Sequence, residues 1–202
     1  MKKLESSITN MVVVLVAVAV ITGSLLAWVN QVTAGPIKQQ DELALANGIK
    51  SVMCLDKLEV TANDELTQNI GGKDYQFVIH KVNNDKGEFA GAAVESTTMG
   101  FGGELKVLVG FDAAGKILGY AVLQHAETPG LGAKADKWFQ SVENGGNSEK
   151  SSIIGKNPAK NQLRVTKDND GGEIDAITAS TITSRAFLRA VQEAYNTYAE
   201  NK

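Results

Sequence analysis

One long apolar stretch near the N-terminus constrains this chain more than any other feature. Residues 6–37 carry no charge, and residues 11–29 are almost wholly apolar. At about 1.5 Å per residue in a helix, such a stretch is long enough to cross a bilayer core of about 30 Å. We therefore predict a short cytoplasmic segment, residues 1–10, followed by one transmembrane helix over residues 11–31.

The same stretch has a second interpretation as a cleavable signal peptide. Lys2 and Lys3 form a short basic start, and residues 32–34 are similar to a small-residue cleavage site. The apolar run is longer than the roughly 7–15 residues of a secretory signal, which favours a retained anchor. Basic residues before a span remain in the cytoplasm. The rest of the chain is then expected on the periplasmic or extracellular side of the cell inner membrane.

Composition excludes several classes of function. The full chain has a formal net charge of −3, so it lacks the basic surface expected of a nucleic-acid-binding protein. Cys54 is the only cysteine, which excludes an intrachain disulfide and an iron–sulfur cluster held by this chain alone. His80 and His125 are the only histidines, and the acidic loop at 168–172 lacks the further ligand positions of an EF-hand. We expect neither a metal site nor a nucleic-acid partner.

The part of the chain beyond the anchor is long enough for one domain with its own core. Helical spacing over residues 41–60 fits either a stalk or a part of that core. We treat residues 32–72 as a stalk or linker and residues 73–202 as an extracytoplasmic domain. Strand-like alternation occurs in four segments and a shorter edge strand is expected in a fifth: 75–82, 89–94, 105–111, 117–124 and 163–165.

Turn and helix signals complete the predicted architecture. Residues 112–115 predict a hairpin between two of these strands. Trp138, Phe139 and Val142 have helical spacing within residues 133–142. The pattern predicts an α+β fold in which helices pack against one side of a twisted antiparallel sheet.

Hydroxyl-bearing residues lie directly before a C-terminal amphipathic helix. Phe187, Val191 and Tyr195 recur with helical period, so the helix is expected to begin near residues 182–184. Hydroxyls at such a position are usually an N-cap for the first turn. The same unpaired N–H groups and the positive helix end also favour an anionic phosphate. Composition alone leaves both interpretations open.

This run resembles the flavin-attachment motif of a known family. The family's motif is Asp, two residues, Ser or Thr, Gly, Ala, Thr. It occurs in RnfG, the G subunit of the Rnf electron-transport complex, and in the C subunit of the sodium-translocating NADH:quinone reductase. A flavin transferase esterifies FMN phosphate to its last threonine. The matching positions here are Asp175, Thr178, Ala179, Ser180 and Thr181, so Thr181 is similar to the flavin-bearing residue.

The chain departs from that motif at two positions. Ala179 replaces the usual glycine, and Ser180 replaces the usual alanine. If the backbone at 179 needs a positive φ, alanine there costs stability, and recognition by the transferase would suffer. Under this resemblance Thr183 is the fallback attachment site.

A second segment, residues 125–132, is similar to the same family's run of His, any residue, Glu, Thr, Pro, Gly, Leu, Gly. Without the family, its Pro-Gly pair is simply a strong turn signal. The resemblance implies that Glu127, Thr128, Gly130 and Leu131 form part of the wall around FMN. A looser similarity is the glycine-rich run at 100–105, which by itself indicates only a turn or bulge.

The resemblance implies a membrane-anchored flavoprotein subunit of an Rnf-type ferredoxin:NAD+ oxidoreductase that couples electron transfer to Na+ or H+ translocation. FMN would be covalently bound to Thr181, with Thr178, Ser180 and Thr183 beside it. The expected partners are other membrane and iron–sulfur subunits, together with the flavin transferase. No catalytic acid or base is expected, because the isoalloxazine ring carries the redox chemistry. The alternatives are the corresponding component of the quinone reductase and a cofactor-free membrane-anchored binding module.

Overall fold

The structure, a computed structural model, describes residues 8–55, 57–70, 73–169 and 171–201. Helix α1 is followed by a block of five strands, then a short helix α2 between two 3₁₀ turns, and finally helix α3. The elements are α1 (Ile8–Met53), β1 (Glu59–Ile70), β2 (Lys73–Asn83), β3 (Phe89–Met99), β4 (Glu104–Asp112), β5 (Ile117–His125), the turn Gly132–Lys134, α2 (Ala135–Trp138), the turn Val142–Asn144 and α3 (Thr181–Glu200).

The chain divides into two compact units, Met1–Ala44 and Leu45–Lys202. Within the described part of the first unit, α1 is long and apolar enough to cross a membrane. Its most apolar window has a mean hydropathy of 2.7, and none of that window is buried within the protein. The hydroxyls of Thr22 and Thr33 donate to carbonyls of the preceding turn, so these polar groups are satisfied inside the helix. The helix therefore presents an apolar surface that only lipid or another protein can cover.

The second unit is built on an open antiparallel sheet with strand order β1-β2-β3-β4-β5. This confirms the α+β class, the four predicted strands and the hairpin between β4 and β5. Strand β1 was not predicted, and it lies inside the segment 32–72 that the sequence suggested was a stalk. Its sequence is mostly polar because β1 is an edge strand, whose pairing with β2 has no sequence signature of its own.

Helix α3 packs on one face of the sheet. The ring of Phe187 stacks on Phe139 at a centroid distance of 4.5 Å and meets Tyr120 edge-on at 4.8 Å. Phe187 and Val191 are fully buried, as the helical period predicted, and α3 begins at Thr181, one residue before the predicted start. The C-terminal helix is therefore held against the strands by an aromatic cluster.

The last turns of α1 pack on the opposite face of the sheet. Ile49, Val52 and Met53 join Leu108 in a second apolar cluster, whereas Val107 and Val109 belong to the cluster under α3. Helices therefore cover both faces, and the expectation of one covered face is wrong. Within the segment 41–60, residues 45–53 carry side chains that pack in this cluster. The sequence of this segment showed only that its apolar residues have helical spacing, and helical spacing does not indicate what the helix packs against.

Two glycines allow the end of α1 to pack closely against the sheet. Gly110 in β4 and Gly119 in β5 are directly opposite each other. A Cβ at either position would overlap the backbone carbonyl of Val52. The helix end therefore approaches the sheet at backbone distance, which only glycine permits.

Two smaller predictions are only partly realised. Residues 133–142 form a 3₁₀ turn and the four-residue helix α2 rather than one continuous helix. The predicted edge strand at 163–165 is reduced to a single parallel bridge between Val165 and Ile174. In the first segment, side chains form hydrogen bonds with distant parts of the chain. One example is the indole N–H of Trp138, which donates to the carbonyl of Asp175 at 3.0 Å.

A chain of polar side chains crosses β1, β2, β3 and β4 on the face that carries Leu108, and its two central members, His80 and Glu95, are buried. Glu95 accepts from Lys106 at 2.5 Å and lies 2.8 Å from His80 Nε2, while His80 Nδ1 lies 2.8 Å from Asn63 Oδ1. Burial raises the pKa of the Glu95 carboxyl, but its hydrogen bonds with His80 and Lys106 outweigh that effect. The pKa of Glu95 therefore lies below its usual value.

Glu95→Gln is expected to lower the free energy of unfolding at neutral pH. A carboxyl with a depressed folded-state pKa contributes stability above its unfolded pKa and loses it as pH falls through the folded one. The deficit of the variant should therefore shrink once the pH drops below about 4.5. Urea titrations of the full chain in detergent at several pH values measure this. Exposed Glu149→Gln is the control, and a deficit that stays constant down the acid range would contradict the prediction.

Candidate functional site

A cleft of about 300 Å³ lies between the start of α3 and the loops that follow β3 and β5. Three separate segments of the sequence meet there. Its lining residues are Phe101 from the first loop, Glu127, Thr128, Leu131 and Gly132 from the second, and residues 179–183 at the start of α3. The two motifs and the glycine-rich run therefore form one site.

Glu127 joins these three segments through its carboxylate. One oxygen accepts the backbone N–H of Phe101 at 2.7 Å and of Gly102 at 3.3 Å. The other accepts the hydroxyl of Thr183 at 2.8 Å. The residue is only 6% exposed. All its partners are donors, which is the arrangement that suits an ionised carboxylate.

The glycines next to Glu127 make room for that carboxylate. A Cβ at Gly132 would lie 2.8 Å from the Thr183 hydroxyl and would overlap the Glu127 side chain. A Cβ at Gly100 would overlap the same carboxylate from the other loop. The glycine-rich run at 100–105 therefore has a packing role that its sequence alone did not reveal.

The Pro-Gly pair forms the turn that its sequence predicts. The N–H of Leu131 donates to the carbonyl of Thr128 at 3.1 Å, and Gly130 has a φ of 76°. A positive φ at the residue that follows the proline is the signature of a type II turn. Gly130 has open space around its Cα and does not line the cleft.

The first turn of α3 carries no side-chain cap from the residue before it. Ser180, at the N-cap position, makes no side-chain cap hydrogen bond, and its carbonyl accepts both the N–H and the hydroxyl of Ser184. The Ser184 hydroxyl in turn accepts the N–H of Ile177 at 2.9 Å. Ser180 therefore does not act as an ordinary N-cap. The first N–H groups of a helix have no acceptor within it, so this end remains suited to an anion.

The predicted site residues are distributed unevenly around the cleft. Thr181 is the first residue of α3 and is partly exposed in the cleft, whereas Ser180 is nearly buried. Thr183 is 1% exposed, and its hydroxyl is engaged with Glu127. Thr178 is exposed and lies outside the cleft lining. Glu127, Thr128 and Leu131 all line the cleft.

Two lining residues were not singled out from the sequence. Phe101 and Ile182 are 69% and 55% exposed, and Leu131 beside them is 41% exposed. Phe101 lies within the glycine-rich run, and that run was the one signal that pointed to it. The three apolar side chains give the mouth of the cleft a hydrophobic rim.

One charged pair lies a helical turn beyond Thr181. Arg185 Nε donates to Asp168 Oδ1 at 2.8 Å. The hydrogen bond from Arg185 lowers the pKa of the partly exposed Asp168 carboxyl, and the same bond raises the pKa of Arg185. Residues four apart share a helix face, so this guanidinium points to the same side of α3 as Thr181.

Ala179 occupies the left-handed backbone region, with a φ of 61°. It is the position where the family motif has glycine, so the positive φ that would explain that glycine is present. Alanine is disfavoured there because its Cβ crowds the following carbonyl. Among the described residues Cys54 is the other non-glycine residue with a positive φ.

Ala179→Gly is expected to raise the free energy of unfolding by about 0.5–1 kcal/mol, because relief of the left-handed strain exceeds the entropy cost of glycine. Urea denaturation of the full chain in detergent measures the change. Ala199→Gly, on the exposed surface of α3, is the matched control and is expected to destabilise. Equal losses in both variants would show that Ala179 is unstrained.

These features together fit the phosphate end and the ring of a flavin nucleotide. The uncapped helix start and the hydroxyls of Ser180 and Thr181 suit a phosphate, and the apolar rim suits a flat aromatic ring. Within the described ranges, no group of three or more His, Cys, Asp or Glu side chains is placed to hold a metal ion.

Comparison with known proteins places the chain in a family. The model of the FMN-binding domain matches residues 100–196, and the model of the RnfG N-terminal region matches residues 1–52. The G subunit of the ion-translocating oxidoreductase complex of Shewanella piezotolerans is 30% identical over 196 residues, covering 91% of this chain and 86% of the relative. The chain belongs to the RnfG family. The resemblance drawn from the two motifs is thereby confirmed.

Further similarities extend over most of this chain. The G subunit of the Na+-translocating ferredoxin:NAD+ oxidoreductase complex of Acetobacterium woodii is 30% identical, covering 92% of this chain and 88% of the relative. The C subunit of the Na+-translocating NADH-quinone reductase from Parabacteroides distasonis, a solved structure, is 21% identical with a TM-score of 0.45. The similarity covers 70% of this chain and 77% of that chain.

The family match agrees with the geometry of the cleft. All the lining residues of the cleft lie between Phe101 and Thr183, inside the FMN-binding domain of this RnfG family member. The N-terminal match covers the apolar part of α1, as suits the single-pass anchor of a membrane-complex subunit.

Proposed function

We propose that this RnfG family member is the FMN-bearing electron carrier of an Rnf-type ferredoxin:NAD+ oxidoreductase, with FMN linked through its phosphate to the hydroxyl of Thr181. One observation carries the proposal: the motif's last threonine lines the same cleft as the second motif. The other hydroxyls fit the role less well. Thr178 lies outside the cleft lining, and Thr183 is buried with its hydroxyl donated to Glu127.

The start of α3 supports phosphate attachment on electrostatic grounds. A phosphodiester on Thr181 keeps a negative charge, which the helix end stabilises by roughly 0.3–1 kcal/mol, or about 2 kcal/mol when partly buried. The unpaired N–H groups of the first turn are the donors for its oxygens. A covalent bond also prevents loss of a cofactor that faces the outside of the cell.

The protein itself would hold the flavin in position and shield it from water, and its side chains would not take part in the redox chemistry. Bound FMN supplies the electron-transfer chemistry through its isoalloxazine ring. Phe101, Leu131 and Ile182 would cover one part of that ring with apolar surface. The type II turn at Thr128 and the carboxylate of Glu127 would hold these side chains in place from the second motif.

Residues 11–31 would anchor the protein in the cell inner membrane, with residues 1–10 in the cytoplasm because Lys2 and Lys3 precede the span. The cofactor-bearing domain would then lie on the periplasmic or extracellular side. The name of the Acetobacterium woodii relative supports ferredoxin and NAD+ as the redox couple and Na+ as the translocated ion. Translocation of H+ is the alternative. Other membrane and iron–sulfur subunits would be its partners, and a flavin transferase would attach the cofactor.

Mass spectrometry of the full chain co-expressed with a flavin transferase tests this function. A mass increase of one FMN on the peptide containing Thr181, with fluorescence that survives denaturing electrophoresis, is the expected result. Co-purification with an iron–sulfur partner would support the Rnf complex. An unmodified, non-fluorescent chain would indicate the cofactor-free binding module.

A further inference from the structure

The carboxylate of Glu127 lies in the cleft where we place the flavin. The Glu127 carboxylate is 6% exposed, and two backbone N–H groups and the Thr183 hydroxyl hold both of its oxygens. Neither oxygen has an ion-pair partner among the described residues. The charge is therefore fixed in position and shielded from water, but it is not neutralised by a cation.

Two ionisable pairs close in sequence to the lining residues differ in this respect. Arg185 is paired with Asp168, and His125 Nε2 lies 3.7 Å from Asp136. These side chains are more exposed to water than Glu127, so solvent screens them more strongly. Glu127 is thus the group whose charge a cofactor in this cleft would sense most strongly.

We propose that the Glu127 carboxylate lowers the reduction potential of the FMN bound in this cleft. The inference rests on the proposed function, because it needs the flavin beside the start of α3. At mildly alkaline pH, reduction of FMN takes up two electrons and one proton, which leaves one additional negative charge on the ring system. In the complex the electrons come from an iron–sulfur partner. A fixed carboxylate nearby opposes that gain of charge and so makes the flavin a stronger reductant.

The role is electrostatic and differs from the structural role of the same side chain. Glu127 positions the loop of Phe101 against α3 through hydrogen bonds, and it tunes the flavin through its charge. Substitutions separate the two effects because one variant can remove the charge and another can break a hydrogen bond while keeping the charge.

The first variant is Glu127→Gln in the full chain, co-expressed with a flavin transferase and purified in detergent. Glutamine has nearly the same shape and no charge. Dithionite titration against reference dyes, followed by the visible flavin spectrum, measures the midpoint potential. We expect the midpoint potential to rise by about 30 mV, which corresponds to an equilibrium constant for two-electron reduction that is about tenfold more favourable.

The second variant is Thr183→Val, which is nearly isosteric and removes the hydroxyl donor while leaving the carboxylate charged. Without the Thr183 hydroxyl, less of the negative charge on Glu127 is neutralised, so the midpoint potential of the flavin should stay unchanged or fall. Shifts of opposite sign, or a shift in Glu127→Gln alone, support the charge effect. A rise in both variants would mean that any loss of the contact loosens the site, and the inference would be overturned.

Peptide mass spectrometry of each sample comes first and separates the two proposals. Wild-type protein without FMN on the peptide containing Thr181 overturns the proposed function and this inference together. A flavin-loaded Glu127→Gln with the wild-type potential overturns only the inference. If Glu127→Gln fails to load flavin, Thr183→Val decides: a rise in potential overturns the charge effect, and a fall supports it.

Discussion

Thr181→Ala is expected to remove covalent flavin from the protein completely. The hydroxyl of Thr181 is the group that would form the phosphoester, and the residue is partly exposed in the cleft at the start of α3. No other hydroxyl of the motif combines these properties. Intact-mass spectrometry and in-gel fluorescence after denaturation, both on chain co-expressed with a flavin transferase, measure the flavin load.

Two matched variants show whether that loss is specific to the site. Thr178→Ala removes an exposed hydroxyl of the same motif, and Thr183→Val removes a buried one that donates to Glu127. Both are expected to retain covalent flavin. A full flavin load in Thr181→Ala would overturn the assignment to Thr181, and flavin on the same peptide in that variant would redirect it to Ser180 or Thr183.

Phe187→Ala is expected to cost about 3–5 kcal/mol of unfolding free energy. The ring is fully buried, stacked on Phe139 and packed edge-on against Tyr120, so its removal leaves a large cavity between α3 and the sheet. Domains are stable by only about 5–15 kcal/mol, so this loss is a substantial fraction of the total. Urea denaturation of the full chain in detergent, followed by circular dichroism, measures it.

Val142→Ala is the control for this prediction. Val142 is 47% exposed and should change stability by no more than about 0.5 kcal/mol. Similar losses in both variants would mean that the aromatic cluster contributes little. Because α3 carries Thr181 at its first residue, a loosened α3 should also reduce flavin attachment in Phe187→Ala.

Local features of the sequence were enough to predict the elements that depend on local physics. The length of the apolar stretch predicted a helix over residues 11–31, which lies within α1, and helical period predicted the start of α3 to within one residue. The Pro-Gly pair predicted the turn at Thr128, and strand-like alternation predicted four of the five strands. Each of these signals arises from neighbours in the chain, so the sequence displays it directly.

The features that were not predicted depend on contacts between residues that are far apart in the sequence. Glu127 and Thr183 are 56 residues apart, and no local pattern indicates that the hydroxyl is buried and donated to this carboxylate. The same holds for β1, whose polar sequence becomes a strand only through pairing with β2, and for Val52 against the glycines of β4 and β5.

In the candidate site, too, some residues were identified from the sequence and others only from the structure. The resemblance of two motifs identified Thr181 and Glu127 from the sequence, whereas Phe101 and Ile182 became visible only where three segments meet. The sequence by itself thus determined the apolar part of α1, helix α3, most of the strands, two turns and the hydroxyl at the start of α3, because chain-local geometry controls them. Only the tertiary structure decided which hydroxyl-bearing residues line the cleft and which are buried. The burial of a side chain depends on which distant residues pack against it, and the local sequence does not show those contacts.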